Sequence, residues 1–158
     1  MVTDSRINTE TVLTVEDLRT YFTTRWGTVK AVDGISFDLR KGETLGIVGE
    51  SGCGKSVTML SLMRLIPIPP GRIVSGSITL DGEDLVQVSE QEMAQIRGSK
   101  IALIIQDPMT SLNPVFSIGD QVEEAIKIHQ DIPKRSVVQG ALDVLRKVNI
   151  PAAESRVK

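Results

Sequence analysis

Gly49-Glu50-Ser51-Gly52-Cys53-Gly54-Lys55-Ser56 is the stretch that decides how this chain is read. It has the spacing G-x-x-x-x-G-K-[ST] of a phosphate-binding loop. The apolar run Thr44-Leu45-Gly46-Ile47-Val48 ahead of it reads as a buried strand. Behind it, Val57-Thr58-Met59-Leu60-Ser61-Leu62-Met63-Arg64-Leu65 has helical length and spacing. Strand, glycine loop and helix form the context this motif requires. A glycine-rich turn joining strand to helix is the plainer alternative. The full pattern arises by chance in a chain of this size on the order of once in a few hundred, which favours a nucleotide site.

The residue types follow from the chemistry of an anion. Phosphates need several donors converging on a small volume, and backbone N–H groups supply them when the chain wraps closely. Gly49, Gly52 and Gly54 permit the tight, partly left-handed conformations this needs. The helix beginning near Lys55 leaves its first N–H groups unpaired and carries roughly half a positive charge at that end. Lys55 is expected to reach the β- and γ-phosphates of a nucleotide, and the Ser56 hydroxyl to take one position on Mg²⁺. Glu50 is expected to turn its side chain outward while its backbone contributes. Cys53 reads as a small residue suited to the turn; the rival reading is a thiol of lowered pKa beside Lys55. Glu50, Ser51, Cys53 and Val57 complete the candidate nucleotide contacts.

Bulk properties exclude several classes. The chain has 158 residues, enough for one domain with a real core. Its formal net charge is −2, so it lacks the basic footprint of a nucleic-acid binder. A single cysteine rules out an intramolecular disulfide. No apolar stretch approaches the ~20 residues needed to span a bilayer. Met1 to Glu10 is polar, with Asp4 and Glu10, and resembles neither a secretory signal nor a transit peptide. Residues 1–11 are read as a polar tail and 12–158 as the folded part.

Upstream of the loop the pattern is β. Val12-Leu13-Thr14-Val15-Glu16-Asp17-Leu18 is a predicted strand. Thr28-Val29-Lys30-Ala31-Val32 and Ile35-Ser36-Phe37-Asp38-Leu39 alternate like strands, with Asp33-Gly34 between them as a predicted turn. A β layer ahead of the loop argues against small nucleotide kinases. Downstream, Pro67-Ile68-Pro69-Pro70-Gly71-Arg72 must be a loop. Ser75-Gly76-Ser77-Ile78-Thr79-Leu80 reads as a strand turned by Asp81-Gly82. Ser89, with Glu92 three residues on, has capping-box spacing for a short helix to Ile96. Ile101-Ala102-Leu103-Ile104-Ile105 is a continuous apolar run that predicts a central strand, and helices follow over about 118–130 and 134–148.

This order of segments resembles the ATP-binding subunit of ABC transporters. Gln106-Asp107-Pro108-Met109-Thr110-Ser111-Leu112-Asn113-Pro114 narrows the resemblance to the importer branch for dipeptides and oligopeptides, which also includes nickel importers. Ala31-Val32-Asp33-Gly34-Ile35-Ser36-Phe37 is similar to the same branch. The implied fold is an α/β P-loop NTPase of ABC type: an N-terminal antiparallel β layer plus part of a parallel core sheet with helices, incomplete. The resemblance implies ATP binding with Mg²⁺, and ATP hydrolysis coupled to transport in the full-length protein. Gln106 is implied as the Q-loop glutamine, contacting Mg²⁺ and the attacking water. The rival reading puts Asp107 on Mg²⁺ at the end of a Walker B strand, but Gln106 occupies the strand-end position. An aromatic ring is expected to stack on adenine. Counting from Leu18 points to Phe22, counting back from the loop points to Trp26, and Tyr21 is adjacent; packing within the β layer is the alternative for each.

Implied partners are membrane-spanning permease subunits, a second ATP-binding subunit and, indirectly, a substrate-binding protein, at the cytoplasmic face of the membrane. Met109, Leu112, Val115 and Phe116 are expected to contribute to an apolar groove for a permease helix. His129 is expected to be a surface side chain on a helix rather than the family's histidine switch. The Leu-Ser-Gly-Gly-Gln-type signature, the Walker B Asp-Glu and that histidine do not occur here, so the sequence reads as the first half of such a subunit, inactive in hydrolysis alone. A non-catalytic nucleotide-binding module and another P-loop NTPase are the alternatives. A GTPase would need Asn-Lys-x-Asp, and Asn8, Asn113 and Asn149 are followed by Thr, Pro and Ile.

Overall fold

The computed structural model describes residues 10–106 and 111–157. Two compact units divide the chain, 1–93 and 94–158.

The first unit is built on a four-stranded antiparallel sheet in the order β2-β1-β3-β4. Its strands are β1 (Thr11–Thr24), β2 (Gly27–Arg40), β3 (Gly71–Leu80) and the short β4 (Glu83–Asp84). β1 lies between β2 and β3, pairing Thr24 with Gly27 at the hairpin tip and Phe22 with Gly71 at the β3 edge. Leu13, Val15, Leu18, Val32, Ile78 and Leu80 are buried along the strands. Helix α1 (Lys55–Leu62) contributes the buried Thr58, Ser61 and Leu62 to the same unit.

The predicted turn at Asp33-Gly34 is not a turn. Both flanking segments belong to one continuous strand, β2, and the irregularity is absorbed as register shifts between Val15 and Arg19 on β1. Asp17 there has φ 43° and Gly34 has φ 85°. Opposite the bulge, a Cβ on Gly76 would lie 2.6 Å from the carbonyl oxygens of Glu16 and Asp17, so only glycine lets β3 approach. Asp33 is held in the strand by side-chain partners. It accepts hydrogen bonds from Tyr21 Oη at 2.5 Å, Arg19 Nη1 at 2.9 Å and Lys30 Nζ at 3.3 Å. These donors keep its carboxyl below the usual range, the Tyr21 hydroxyl most.

Two further expectations are corrected in detail. Residues 44–48 and 101–105, read as strands, form no ladder among the described residues. A lone parallel bridge joins Arg97 to Ile101. Val48 is 91% exposed and Ile104 96%, so these apolar runs lack the neighbours that parallel strands bury against. Leu45 and Ile47 nevertheless line a cavity of about 340 Å³ with Leu13, Leu39, Met59 and Leu62. The segment before the phosphate loop thus turns one side toward the sheet and α1.

Helix α2 (Glu90–Ile96) begins with the predicted capping box. Ser89 N donates to Glu92 Oε2 at 2.8 Å, and Glu92 N donates to Ser89 Oγ at 3.2 Å. In the second unit, α3 (Ile118–His129) and α4 (Lys134–Lys147) pack as a helical pair, followed by α5 (Ala153–Arg156), which the sequence reading lacks. Val137, Ala141 and Leu145, four residues apart, are the buried stripe of α4. Ser117 caps α3 by accepting from Asp120 N.

Candidate functional site

The phosphate loop occupies residues 49–56 between the segment at 44–48 and α1. Its shape comes from two glycines. Gly52 has φ 82°, and Gly54, the N-cap of α1, has φ 97° and ψ 0°. A Cβ at Gly54 would stand 2.3 Å from the Ala31 carbonyl oxygen on β2. Gly54 therefore serves both the left-handed turn into the helix and the close seating of the loop on the sheet. A Cβ at Gly49 would meet Cys53 Sγ at 2.6 Å and Lys55 Nζ at 4.0 Å, so it would fill the concavity.

Lys55 starts α1 and folds its ammonium back over the loop. Nζ donates to the Gly49 carbonyl at 2.7 Å and to the Glu50 carbonyl at 2.6 Å, and lies 3.5 Å from Cys53 Sγ. Carbonyl oxygens are weak anchors for an ammonium beside what phosphate oxygens offer. The ammonium lies over the loop, held by two of its carbonyl oxygens. The loop closes on itself through Cys53 N donating to Glu50 O at 3.3 Å, and Thr58 N donates to Gly54 O at 2.8 Å as α1 takes over. Glu50, Ser51, Cys53 and Ser56 are exposed, and Val57 is half-buried. Glu50 is exposed, and its carbonyl accepts from Lys55 Nζ and Cys53 N within the loop. A helix N-terminus, small residues and one ammonium thus meet at the loop, groups of the kind that bind an anion.

The aromatic candidates differ in surroundings. Phe22 is half-buried on β1 opposite Gly71, where an added Cβ would come 2.7 Å from Phe22 Cε1. The missing side chain at position 71 makes the room that the ring uses. Trp26, at the tip of the β1–β2 hairpin, is 82% exposed, and the Arg25 guanidinium covers one ring face 3.9 Å from the centroid. Tyr21 has its hydroxyl committed to Asp33.

In the second unit, Gln106 is an exposed bend directly after residues 102–105. Asp107 and Met109 lie outside the described residues. Leu112, Val115 and Phe116 are exposed. The loop that carries them is pinned by Gln121, a residue the sequence reading did not single out. Asn113 N donates to Gln121 Oε1 at 2.8 Å, and Gln121 Nε2 donates to Asn113 O at 2.9 Å and to Phe116 O at 3.2 Å. A glutamine on a helix gives no sequence signal for such a clamp. His129 ends α3 with its side chain exposed, as expected.

Comparison with known proteins agrees with this geometry. The pattern defining the family described as ABC transporter matches residues 32–158. An oligopeptide transport ATP-binding protein of Bacillus subtilis is 49% identical over 146 residues, covering 92% of this chain and 41% of that protein. A dipeptide transport ATP-binding protein of the same organism is 48% identical over 149 residues, covering 94% of this chain and 44% of the relative. Its Escherichia coli counterpart is 44% identical over 146 residues, with 92% and 44% covered. The chain spans less than half the length of these relatives. Among solved structures, a dimeric ATP-binding cassette in a post-hydrolysis state bound to ADP and Pi superposes with a TM-score of 0.75 at 18% identity, covering 92% of this chain and 61% of that one. The fold is that of an ATP-binding cassette, and the chain belongs to the ABC transporter family.

Proposed function

We propose that this chain carries the ATP-binding half-site of the energising subunit of an ABC importer for dipeptides or oligopeptides. In the full-length protein, ATP hydrolysis would be coupled to transport. The observation that carries the reading is the loop at 49–56, with Gly54 in a left-handed conformation against Ala31 O and the Lys55 ammonium over the loop carbonyls. The relatives named as oligopeptide and dipeptide transport ATP-binding proteins supply the substrate class. Residues 12–158 then form the N-terminal part of one nucleotide-binding domain.

The roles follow from chemistry. Backbone N–H groups of residues 49–56 bind the phosphates, and Lys55 neutralises the β/γ end. Phe22 stacks on the base. Ser56 would take one position on Mg²⁺, which when bound would supply charge neutralisation of the phosphates. Gln106 would orient water and report nucleotide state to the permease subunits. Those subunits, a second ATP-binding subunit and, indirectly, a substrate-binding protein are the partners, at the cytoplasmic face of the membrane. No helix among the described residues is long and apolar enough to cross a bilayer.

The test is reconstitution of the full-length subunit with its permease partners, measuring peptide uptake and ATP hydrolysis together. Uptake of dipeptide or oligopeptide that requires ATP is expected. Gln106→Ala is expected to keep ATP binding while uptake and coupled hydrolysis fall. Normal transport by that variant would remove the role given to Gln106, and the absence of ATP-driven peptide uptake by the unaltered subunit would remove the importer reading.

A further inference from the structure

Two hydroxyls meet inside the first unit where the sheet and α1 touch. Thr20 Oγ1 on β1 and Ser61 Oγ on α1 are 2.8 Å apart, and both residues are fully buried. The direction of this bond follows from a second one. Ser61 Oγ donates its single hydrogen to the Val57 carbonyl at 2.7 Å, so Thr20 is the donor and Ser61 the acceptor. The result is a short directed chain from β1 through Ser61 to the backbone of α1. No buried side-chain polar atom among the described residues is left without a partner.

The chain of bonds joins the two elements that carry opposite ends of the nucleotide site. From Thr20 to Phe22 the pairing with β3 is regular, Thr20 with Ile73, Tyr21 with Arg72 and Phe22 with Gly71. Thr20 and Phe22 therefore share a face, about 7 Å apart along the strand. Ser61 follows Lys55 by six residues on α1, about 9 Å along the helix. Apolar burial is non-directional and leaves a helix free to slide on a sheet. A buried hydrogen bond in low dielectric is directional, and breaking it leaves a desolvated hydroxyl.

We propose that the buried Thr20–Ser61 hydroxyl pair is a positioning device that fixes the base-binding strand relative to the phosphate-binding helix. It thereby sets the preference for a whole adenine nucleotide over a bare polyphosphate. This rests on the reading of Phe22 as the base-stacking residue. Thr20 and Ser61 do not touch the nucleotide; they act through β1 and α1.

The experiment measures affinity for ATP and for inorganic tripolyphosphate, by calorimetry on the full-length protein, alongside the unfolding midpoint. Thr20→Val keeps the shape and removes the donor; Ser61→Ala removes the acceptor. Each is expected to weaken ATP binding about 3- to 10-fold, the loss of one buried hydrogen bond, while tripolyphosphate affinity changes less than about twofold. Thr20→Ser is expected to restore the ATP affinity. The double variant is expected to lose no more than the worse single one, since both polar groups are then gone. Equal losses for both ligands, or none for ATP, would overturn the proposal and leave the pair a structural bond only. Phe22→Ala is the separate control. If it leaves the ATP preference unchanged, the base-stacking reading falls and the positioning role with it. If it removes the preference while Thr20→Val does not reduce it, the positioning role alone is refuted.

Discussion

Replacing Gly54 by alanine perturbs the loop in two separable ways. The first is conformational: φ 97° at the N-cap of α1 is a region that L side chains avoid, at a cost of about 1–2 kcal/mol. The second is steric. The new Cβ would lie 2.3 Å from the Ala31 carbonyl oxygen, and ordinary contact begins roughly 1 Å further out. The obstacle is backbone on β2, so relief requires the loop to leave the sheet, at a further cost of about 1–3 kcal/mol. Gly52 separates the two effects. It has φ 82°, yet a Cβ there meets nothing within 4 Å, so Gly52→Ala incurs only the conformational cost. Equilibrium urea unfolding is therefore expected to rank the wild type above Gly52→Ala and Gly52→Ala above Gly54→Ala. Nucleotide affinity magnifies the difference, because displacing the loop misaligns N–H groups whose bonds to charged phosphate are worth about 1.5–3 kcal/mol each. Misaligning one of them predicts a loss of roughly 10- to 150-fold in ATP affinity for Gly54→Ala. Equal stability and equal affinity in the two variants would refute the seating of the loop against Ala31.

The aromatic assignment is tested by paired variants. Phe22→Ala is expected to weaken ATP binding by about 5-fold or more, the value of a base–aromatic stack, and Trp26→Ala by less; the reverse order would transfer the stacking role to Trp26. The capping box makes a pH prediction. Hydrogen bonds from Ser89 hold the Glu92 carboxyl below its ordinary 4.5, so the cap's contribution is full above that value and is lost as pH falls through the lower, folded-state midpoint. Ser89→Ala is expected to raise the Glu92 midpoint in an NMR titration, and an unchanged midpoint would contradict the cap.

What the sequence made legible was local. The phosphate loop and the Ser89–Glu92 box are set by residues within one or two turns of each other, and their spacing carried them directly into structure. The β layer was legible as strands but not in its joints. Asp33-Gly34 has the composition of a turn, yet Tyr21, Arg19 and Lys30 on the paired strands hold Asp33 within β2. Residues 44–48 and 101–105 have strand composition, but a parallel strand exists only with a neighbour, and pairing is a non-local property. Helix α5 escaped notice because its N-cap, Ala152, has φ 52° and carries no capping signal. At the proposed site, the loop was readable because Lys55, Ser56 and the glycines form one contiguous motif at 49–56 whose shape is local. The Thr20–Ser61 bond was not, since it joins two small polar residues 41 positions apart that look like any others in a strand and a helix.

Equilibrium binding of ATP by Lys55→Ala is the most direct test of the account. The ammonium stands over the loop, held by the Gly49 and Glu50 carbonyls, and is the cation proposed to meet the β/γ-phosphates. Losing a charge-assisted contact of about 1.5–3 kcal/mol predicts affinity reduced by more than roughly tenfold, with the unfolding midpoint little changed. Unaltered ATP affinity in this variant would contradict the assignment of residues 49–56 as the nucleotide site.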